Sequence, residues 1–218
     1  MPAFSMLELT LVIAIVLILA ALTLPAFQRA RVESLRARSM AQIATNLKLV
    51  EIYCQASKDV YPIASKSINY SMLHWYEPLM NEQLIRRETE IDPYRSEAHD
   101  SRTYAMSTCM VRDWQEMQPD RAIRESLSIT HGVATHEVSF PSSKGAMVQF
   151  VQPYLPEYSR NPASTAWCCG LAIKAPVGFA DGSVSVHAWQ ELKRSFEEID
   201  GVGLPVISTW YGVRGIDR

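Results

Sequence analysis

The sequence lacks the short motifs by which many enzymes are recognised. It contains no G-x-S-x-G nucleophile turn, no H-E-x-x-H metal site, no P-loop and no G-x-G-x-x-G dinucleotide turn. Cysteine is scarce, with four residues in 218 and no C-x-x-C pair, which excludes a disulfide-dense scaffold and argues against a zinc site. We therefore predict no enzymatic activity, no catalytic residue, no metal and no cofactor. The pairing of the four cysteines stays open: Cys54, Cys109, Cys168 and Cys169 allow three complete pairings.

A strong excess of charge of one sign is also missing. The chain has 21 Lys and Arg residues against 23 Asp and Glu residues, which leaves a net charge of −2. A protein that binds nucleic acid through the phosphates needs a dense basic surface. The arginines between residues 29 and 38 are too few for such a surface. We interpret them as a solvated helix face and expect no nucleic-acid partner.

The chain does have one long uncharged apolar run, from Leu9 to Phe27. As an α-helix this run is about 28 Å long, which is enough to cross a hydrocarbon core of about 30 Å. Glu8 lies at its edge, where a carboxylate is costly without a partner, so Glu8 is a candidate functional residue. One alternative is a plain signal anchor with Glu8 among the lipid head groups. A secretory signal peptide is disfavoured, because the apolar core is too long and no clear small-residue cleavage site follows it.

The residue order around Glu8 resembles the N-terminus of type IV pilins and type II secretion pseudopilins. The shared features are an aromatic residue (Phe4) followed by a hydroxyl residue, a glutamate four positions after the aromatic, and an apolar helix that reaches Pro25. The resemblance implies that a prepilin peptidase cleaves between Ala3 and Phe4 and methylates the new amine of Phe4. It also implies that residues 1–3 are a leader peptide.

The leader departs from the family pattern in two respects. Ala3 stands where glycine is usual, and residues 1–3 carry no Lys or Arg, whereas arginines follow the apolar run. The positive-inside rule would place those arginines in the cytoplasm, while the resemblance places them on the other side. We follow the resemblance, with the hypothesis that the natural start lies upstream and supplies basic leader residues.

Elementary electrostatics predicts a pairing between Glu8 and the amine of Phe4. A processed amine is cationic, and the two groups lie one helical turn apart near the same end of the helix. In a low dielectric an unpaired carboxylate costs several kcal/mol, so Glu8 of one subunit can neutralise Phe4 of the next. Such a pairing sets the register between neighbouring pilin or pseudopilin subunits.

The helix is predicted to continue well beyond the apolar run. Apolar residues recur at steps of three to five up to about residue 56, with charged residues between them, which is typical of an amphipathic helix. Pro25 removes one backbone donor and is predicted to kink the helix. The predicted organisation is a leader at 1–3, a transmembrane and assembly helix at 4–27, an amphipathic second half at 28–56 and an extracytoplasmic domain at 57–218.

Shorter elements are predicted after the long helix. Residues 72–85 have helical spacing that Pro78 interrupts, whereas residues 102–111, 133–140 and 146–151 are predicted strands. Together with the long helix, these strands predict an α+β fold.

The last clear element is a hairpin around Asp181 and Gly182. This pair lies between two alternating segments and predicts a type I′ turn, in which both central residues have a positive φ. The surrounding Phe-Ala-Asp-Gly-Ser-Val order resembles a hairpin near the end of a large pseudopilin-like family. We interpret Asp181 as a turn residue and not as a calcium ligand, because no other carboxylates cluster beside it. The expected architecture is pilin-like, with a long N-terminal helix packed on a small antiparallel sheet.

These features together favour a structural subunit of a type II secretion-like pseudopilus. The protein would cross the inner membrane once, with its C-terminal domain in the periplasm, and would assemble through its N-terminal helix. One alternative is a subunit of a type IV pilus that serves adhesion, twitching or DNA uptake. A membrane-anchored extracytoplasmic enzyme or binding module is the alternative from a different class.

Overall fold

The computed structural model divides the chain into two compact units, Met1–Arg38 and Ser39–Arg218. Within them, the structure describes residues 6–64, 68–94, 103–111, 132–155, 174–193, 206 and 211–218. The prediction for Ala3 and Phe4 lies outside these residues, and so do the pairings that involve Cys168 and Cys169.

A single 51-residue helix, α1, runs from Met6 to Ala56. The sequence predicts an end near residue 56, and the structure confirms it. The helix is continuous through Pro25, so the proline leaves one carbonyl without its usual helical donor but does not end the helix. The predicted kink at Pro25 stays a prediction. By length and composition, the N-terminal part of α1 is apolar enough to cross a membrane, and its most apolar window is entirely unburied.

The second unit is built around a four-stranded antiparallel sheet in the order β1-β2-β3-β4. Neighbours in the sheet are also neighbours in the sequence, and the registers include Met106 opposite Met147, Val148 opposite Val177, and Val177 opposite Ser185. The strands are β1 (Tyr104–Met106), β2 (Gly145–Gln149), β3 (Lys174–Phe179) and β4 (Val184–Ala188). Each pair is antiparallel, as the sequence predicts for this domain.

The part of α1 that belongs to the second unit packs on β3. Buried α1 residues recur at helical spacing and include Ile43, Leu47 and Val50. Gly178 of β3 permits a close approach, because a Cβ atom there would lie 2.5 Å from Cγ2 of Ile43 and 2.6 Å from Cδ1 of Leu47. The predicted α+β arrangement, a helix packed on a small antiparallel sheet, is therefore present.

Both faces of the sheet are covered. Successive side chains of a strand point to opposite faces, so Ala105 and Met106 of β1 belong to different apolar clusters. Met106 joins the larger cluster, which contains Ile43 and Val50 of α1, whereas Ala105 joins a smaller cluster with Phe179. The smaller cluster is completed by Met72, Val148, Ala175, Val177, Leu192 and Val206.

Two short helices replace the one predicted over 72–85. They are α2 (Ile68–Leu73) and α3 (Glu77–Asn81). Pro78 lies at the start of α3, where its missing N–H has no helical partner to lose. The proline therefore begins a new helix instead of continuing the earlier one.

The strand predicted over 133–140 is wrong. The structure has a 3₁₀ helix at Thr135–Glu137, and only an isolated bridge between Val60 and Ala134 has strand pairing. The side chain of Glu137 accepts a hydrogen bond of 2.7 Å from the backbone N–H of Ala134. This local bond closes a turn and competes with an extended conformation.

The strand predicted over 102–111 is shorter than expected. Within the described residues 103–111, the strand covers Tyr104–Met106, and a 3₁₀ helix follows at Thr108–Met110. The Ser107 side chain caps this helix by accepting a hydrogen bond of 3.2 Å from the backbone N–H of Cys109. The strand predicted over 146–151 corresponds to β2, which begins one residue earlier and ends at Gln149.

The hairpin between β3 and β4 contains Asp181 and Gly182, but its turn is not type I′. Of these two residues only Gly182 has a positive φ, at 83°. The N–H of Gly182 donates to the carbonyl of Phe179 at 2.9 Å, and the N–H of Phe179 donates to the carbonyl of Ser183 at 2.8 Å. This is a three-residue loop, with the left-handed glycine in the last position, where only one residue needs a positive φ.

Candidate functional site

The first candidate site is the apolar N-terminal part of α1. Its large apolar side chains between Met6 and Phe27 are all exposed, from 49 % at Ile13 to 79 % at Met6. A continuous apolar surface of this length is typical of a membrane or protein contact. The hydroxyls within the run are satisfied locally, since Thr10 donates to the carbonyl of Leu7 and Thr23 to that of Ala20, at 3.0 and 3.2 Å.

Glu8 lies in the first turn of α1. It is the only ionisable side chain between Met6 and Phe27. The positive end of the helix macrodipole stabilises a carboxylate in the first turn, by about 0.3–1 kcal/mol at an exposed site. Glu8 is therefore placed where a negative charge is tolerated at the start of an otherwise uncharged surface.

The second candidate site is a cavity of about 820 Å³ in the second unit. It lies between α1, the residues around Val138 and the β3–β4 loop, and this volume is within the range of typical ligand pockets. Neither the cavity nor its charged lining is visible in the sequence, because its walls come from segments more than a hundred residues apart. Its lining residues are Ala44, Thr45, Leu47, Lys48, Val50, Glu51, Cys54, Gln55, Asp59, Tyr61, Met106, Met110, Thr135, Val138, Pro141, Ala146, Ala180, Asp181 and Gly182.

Charge is distributed unevenly around this cavity. The lining has three carboxylates, Glu51, Asp59 and Asp181, and one cation, Lys48, and all four residues are exposed. The apolar lining residue Leu47 is buried, as is much of the wall behind it. The cavity thus combines an acidic rim with an apolar floor, and this combination favours a ligand that is both apolar and cationic.

The cavity does not contain an activated thiol. Burial raises the pKa of Cys54 to about 12, and the nearby charge of Asp59 adds to the effect. The protonated form therefore dominates at neutral pH, and a thiol is a much weaker nucleophile than a thiolate. Burial likewise raises the pKa of Tyr61, which lines the same cavity. Both Cys54 and Tyr61 are therefore uncharged at neutral pH.

A serine and a histidine meet on β4, which the sequence analysis did not single out. Oγ of Ser185 lies 2.8 Å from Nε2 of His187, and Nδ1 of His187 lies 3.8 Å from Oε2 of Glu191. The order resembles a Ser-His-acid relay, but 3.8 Å is too long for the second hydrogen bond. Instead, Oε2 of Glu191 accepts from the backbone N–H of Ala188 at 3.1 Å. The Ser-x-His spacing could have indicated this contact in the sequence, because residues two apart on a strand lie on the same face.

The surroundings of His187 favour its neutral form. Burial lowers the pKa of His187, and the positive charges of Arg218 and Lys174 act in the same direction against the opposite effect of Glu191. The ring of His187 packs edge-on against Phe179, with 5.8 Å between the ring centroids.

Among the residues that the structure describes, no cluster of three or more His, Cys, Asp or Glu side chains has the arrangement of a metal site.

No protein-family model matches the sequence, and comparisons with curated proteins and with solved structures find no significant match. The long apolar N-terminal helix and the small antiparallel sheet on which α1 packs are compatible with a pilin-like architecture.

Proposed function

We propose that this protein is a filament subunit of the pilin class, and specifically a pseudopilin of a type II secretion-like system. The observation that carries the proposal is the exposed apolar surface of α1 with Glu8 at its start. The apolar surface of such a helix is kept from water in lipid, and it is also kept from water when it is buried against other subunits. The function is therefore mechanical, as helices pass from the bilayer into a polymer.

In this proposal, prepilin peptidase cleaves between Ala3 and Phe4 and methylates the Phe4 amine. The amine of one subunit then neutralises Glu8 of its neighbour in the apolar interior of the filament. Pairing in that environment is favoured, because breaking a buried ion pair by removing one partner costs about 3–5 kcal/mol. The domain that follows residue 56 lies on the periplasmic side of the inner membrane.

A type IV pilus subunit is the second candidate, since the same helix and the same Glu8 would serve it. The two are distinguished by the machine: a pilus extends far beyond the cell and is retracted by a motor, whereas a pseudopilus stays short. The membrane-anchored binding module is favoured by a different observation, the 820 Å³ cavity. It predicts an unmethylated N-terminus and stabilisation of the domain by a small ligand.

Mass spectrometry of the N-terminus tests the proposal directly. The full chain is expressed with and without prepilin peptidase, and the expected mature protein begins at Phe4 and carries one methyl group. An intact Met1, or a cleavage site beyond residue 20, would overturn the proposal.

A second experiment tests the role of Glu8. Glu8→Ala should insert into the membrane at the wild-type level but assemble poorly, as seen by electron microscopy of sheared filaments. Thr10→Val is the control, because it changes another polar residue of the same helix, two positions from Glu8, and should assemble normally. Normal filaments from Glu8→Ala would contradict the register role.

A further inference from the structure

We propose that the acidic cavity of the second unit binds the Phe27–Arg31 face of α1 from a second copy of this chain. The inference rests on the proposed function, because it identifies which surfaces meet when subunits assemble. The cavity offers three carboxylates and an apolar floor. Its occupant must therefore present a large apolar group and a cation close together.

The α1 segment at the end of the apolar run, from Phe27 to Arg31, meets that requirement. Phe27 is 69 % exposed, and Arg31 is exposed as well. At 3.6 residues per turn, Phe27 and Arg31 are about 40° apart around the helix, so they lie on one face, one turn apart. The segment thus presents an aromatic ring and a guanidinium in the same direction.

The neighbouring charges do not oppose the contact. Glu33 would be repelled by an acidic cavity, but its carboxylate is 2.6 Å from the guanidinium of Arg36. Arg29 has the same charge and exposure as Arg31, but it is about 160° away from Phe27 around the helix and faces the other side. The chain therefore contains its own matched control, two residues away.

The cavity side has a corresponding charge pattern. Glu51 belongs to α1, Asp59 to the residues just after it, and Asp181 to the β3–β4 loop, so the carboxylates come from different segments of the lining. Lys48 partly offsets them, leaving two net negative charges on the lining. In the docked state the ring of Phe27 contacts the apolar floor at Leu47, while Arg31 is held at the rim.

Photo-crosslinking tests the contact with the full chain in cells that process the protein and assemble filaments. A benzoylphenylalanine replaces Phe27, and the crosslinked product is sized by electrophoresis and mapped by mass spectrometry. The expected product is a dimer whose crosslinks fall on the cavity lining, within residues 44–61, 106–110, 135–146 or 180–182. Interchain crosslinks confined to other parts of the chain, intrachain crosslinks alone, or no crosslinks would overturn the proposal.

Charge reversal tests the electrostatic part. Arg31→Glu should reduce the crosslinked dimer about tenfold, since one close attractive pair becomes repulsive, whereas Arg29→Glu should leave it unchanged. On the cavity side Glu51→Arg should have the same effect as Arg31→Glu, and Glu82→Lys is the control on an exposed acid away from the cavity. The double variant Arg31→Glu/Glu51→Arg should recover the dimer, because each copy then carries the reversed pair. Equal losses from Arg29→Glu and Arg31→Glu would overturn the proposal.

The same cells separate this inference from the proposed function. If Phe4 is processed and filaments form while the crosslinks map outside the cavity, the docking inference is wrong and the pilin proposal stands. If Phe4 is unprocessed and no filaments form, the pilin proposal fails, and the docking inference that rests on it fails with it.

Discussion

The Nζ atom of Lys144 lies 3.1 Å from Oδ2 of Asp217, and both side chains are completely buried. The carboxylate of Asp217 also accepts hydrogen bonds from the backbone N–H groups of Gly145, at 2.8 Å, and Val206, at 3.2 Å. The backbone N–H of Asp217 in turn donates to the carbonyl of Ser143 at 2.8 Å. Asp217 therefore ties the start of β2 to two segments that follow the sheet in sequence.

Removing the charge of Asp217 should be strongly destabilising. Asp217→Asn leaves the ammonium of Lys144 buried without a counter-ion, which costs about 3–5 kcal/mol of unfolding free energy. Urea denaturation of the full chain in detergent, followed by tryptophan fluorescence, measures this loss. A loss below about 1 kcal/mol would show that water reaches Lys144 in the folded state.

Removing both charges together should cost less than removing one. No well-aligned hydrogen bond from Nζ of Lys144 accompanies the close contact with Asp217, so the pair contributes mainly through charge. Lys144→Met leaves no cation to desolvate, and an asparagine at 217 can still accept one backbone hydrogen bond. The double variant Lys144→Met/Asp217→Asn is therefore expected to be more stable than Asp217→Asn alone.

Gly178 and Gly182 should respond differently to alanine. A Cβ at Gly178 would clash with the side chains of Ile43 and Leu47, so Gly178→Ala must displace these side chains, at a cost of about 1–3 kcal/mol. A Cβ at Gly182 meets nothing within 4 Å, but the residue has a φ of 83°, so Gly182→Ala costs about 1–2 kcal/mol of backbone strain. Denaturation midpoints give the two losses.

A compensating change separates the two mechanisms. Leu47→Ala makes room beside Gly178, so the penalty of Gly178→Ala should shrink in the Leu47→Ala background. The penalty of Gly182→Ala should be the same in both backgrounds. If the losses in unfolding free energy of Gly178→Ala and Leu47→Ala were additive, the side chain of Leu47 would not be in tight contact with Gly178.

The thiol of Cys54 should be protected at neutral pH and should make the fold sensitive to alkali. Its pKa is raised from 9.0 in the unfolded chain to about 12, chiefly by burial. Above about pH 9 the unfolded state loses the proton that the folded state keeps, so the unfolding free energy falls between pH 9 and 12. Burial also raises the pKa of Tyr61 above its ordinary value of 10.0, so this residue contributes a further fall in unfolding free energy above about pH 10.

Two measurements check the Cys54 prediction. At pH 8, iodoacetamide should modify Cys54 slowly in the folded protein and rapidly in urea, as followed by peptide mass spectrometry. The alkaline fall in unfolding free energy should become shallower in Tyr61→Phe, which removes one of the groups with a raised pKa at little change in volume. Rapid alkylation of the folded protein at pH 8 would contradict the burial of this thiol.

The parts of the fold that depend on local patterns could be predicted from the sequence. The end of α1 at Ala56 follows from helical periodicity, and β2 and the hairpin follow from alternation and an Asp-Gly pair. The prediction of a strand over 133–140 was wrong because the side chain of Glu137 accepts a hydrogen bond from the backbone N–H of Ala134. The alternation of apolar and polar residues does not indicate this local bond. The Lys144–Asp217 ion pair joins residues 73 positions apart, so no local sequence pattern could predict it.

The candidate sites divide in the same way. Glu8 could be chosen from the sequence because it interrupts an otherwise uncharged run, a purely local property. The acidic cavity could not, because Glu51 and Asp181 meet only after β3 and β4 pack against α1. The type I′ turn was wrongly predicted since the Asp-Gly pair also suits the last positions of a three-residue loop, and the loop length is set by the strand register.

The β3–β4 loop should depend on the Asp181 side chain as an acceptor and not on its charge. Oδ1 of Asp181 accepts from the backbone N–H of Ser183 at 3.0 Å and from its hydroxyl at 2.6 Å. Asp181→Ala removes both bonds and should cost about 0.5–1.5 kcal/mol, whereas Asp181→Asn keeps a carbonyl oxygen in the same place and should cost much less. Denaturation of both variants measures the difference, and amide hydrogen exchange at Ser183 locates it. Equal losses in the two variants would mean that the negative charge of Asp181, and not the geometry of its oxygen, holds the loop.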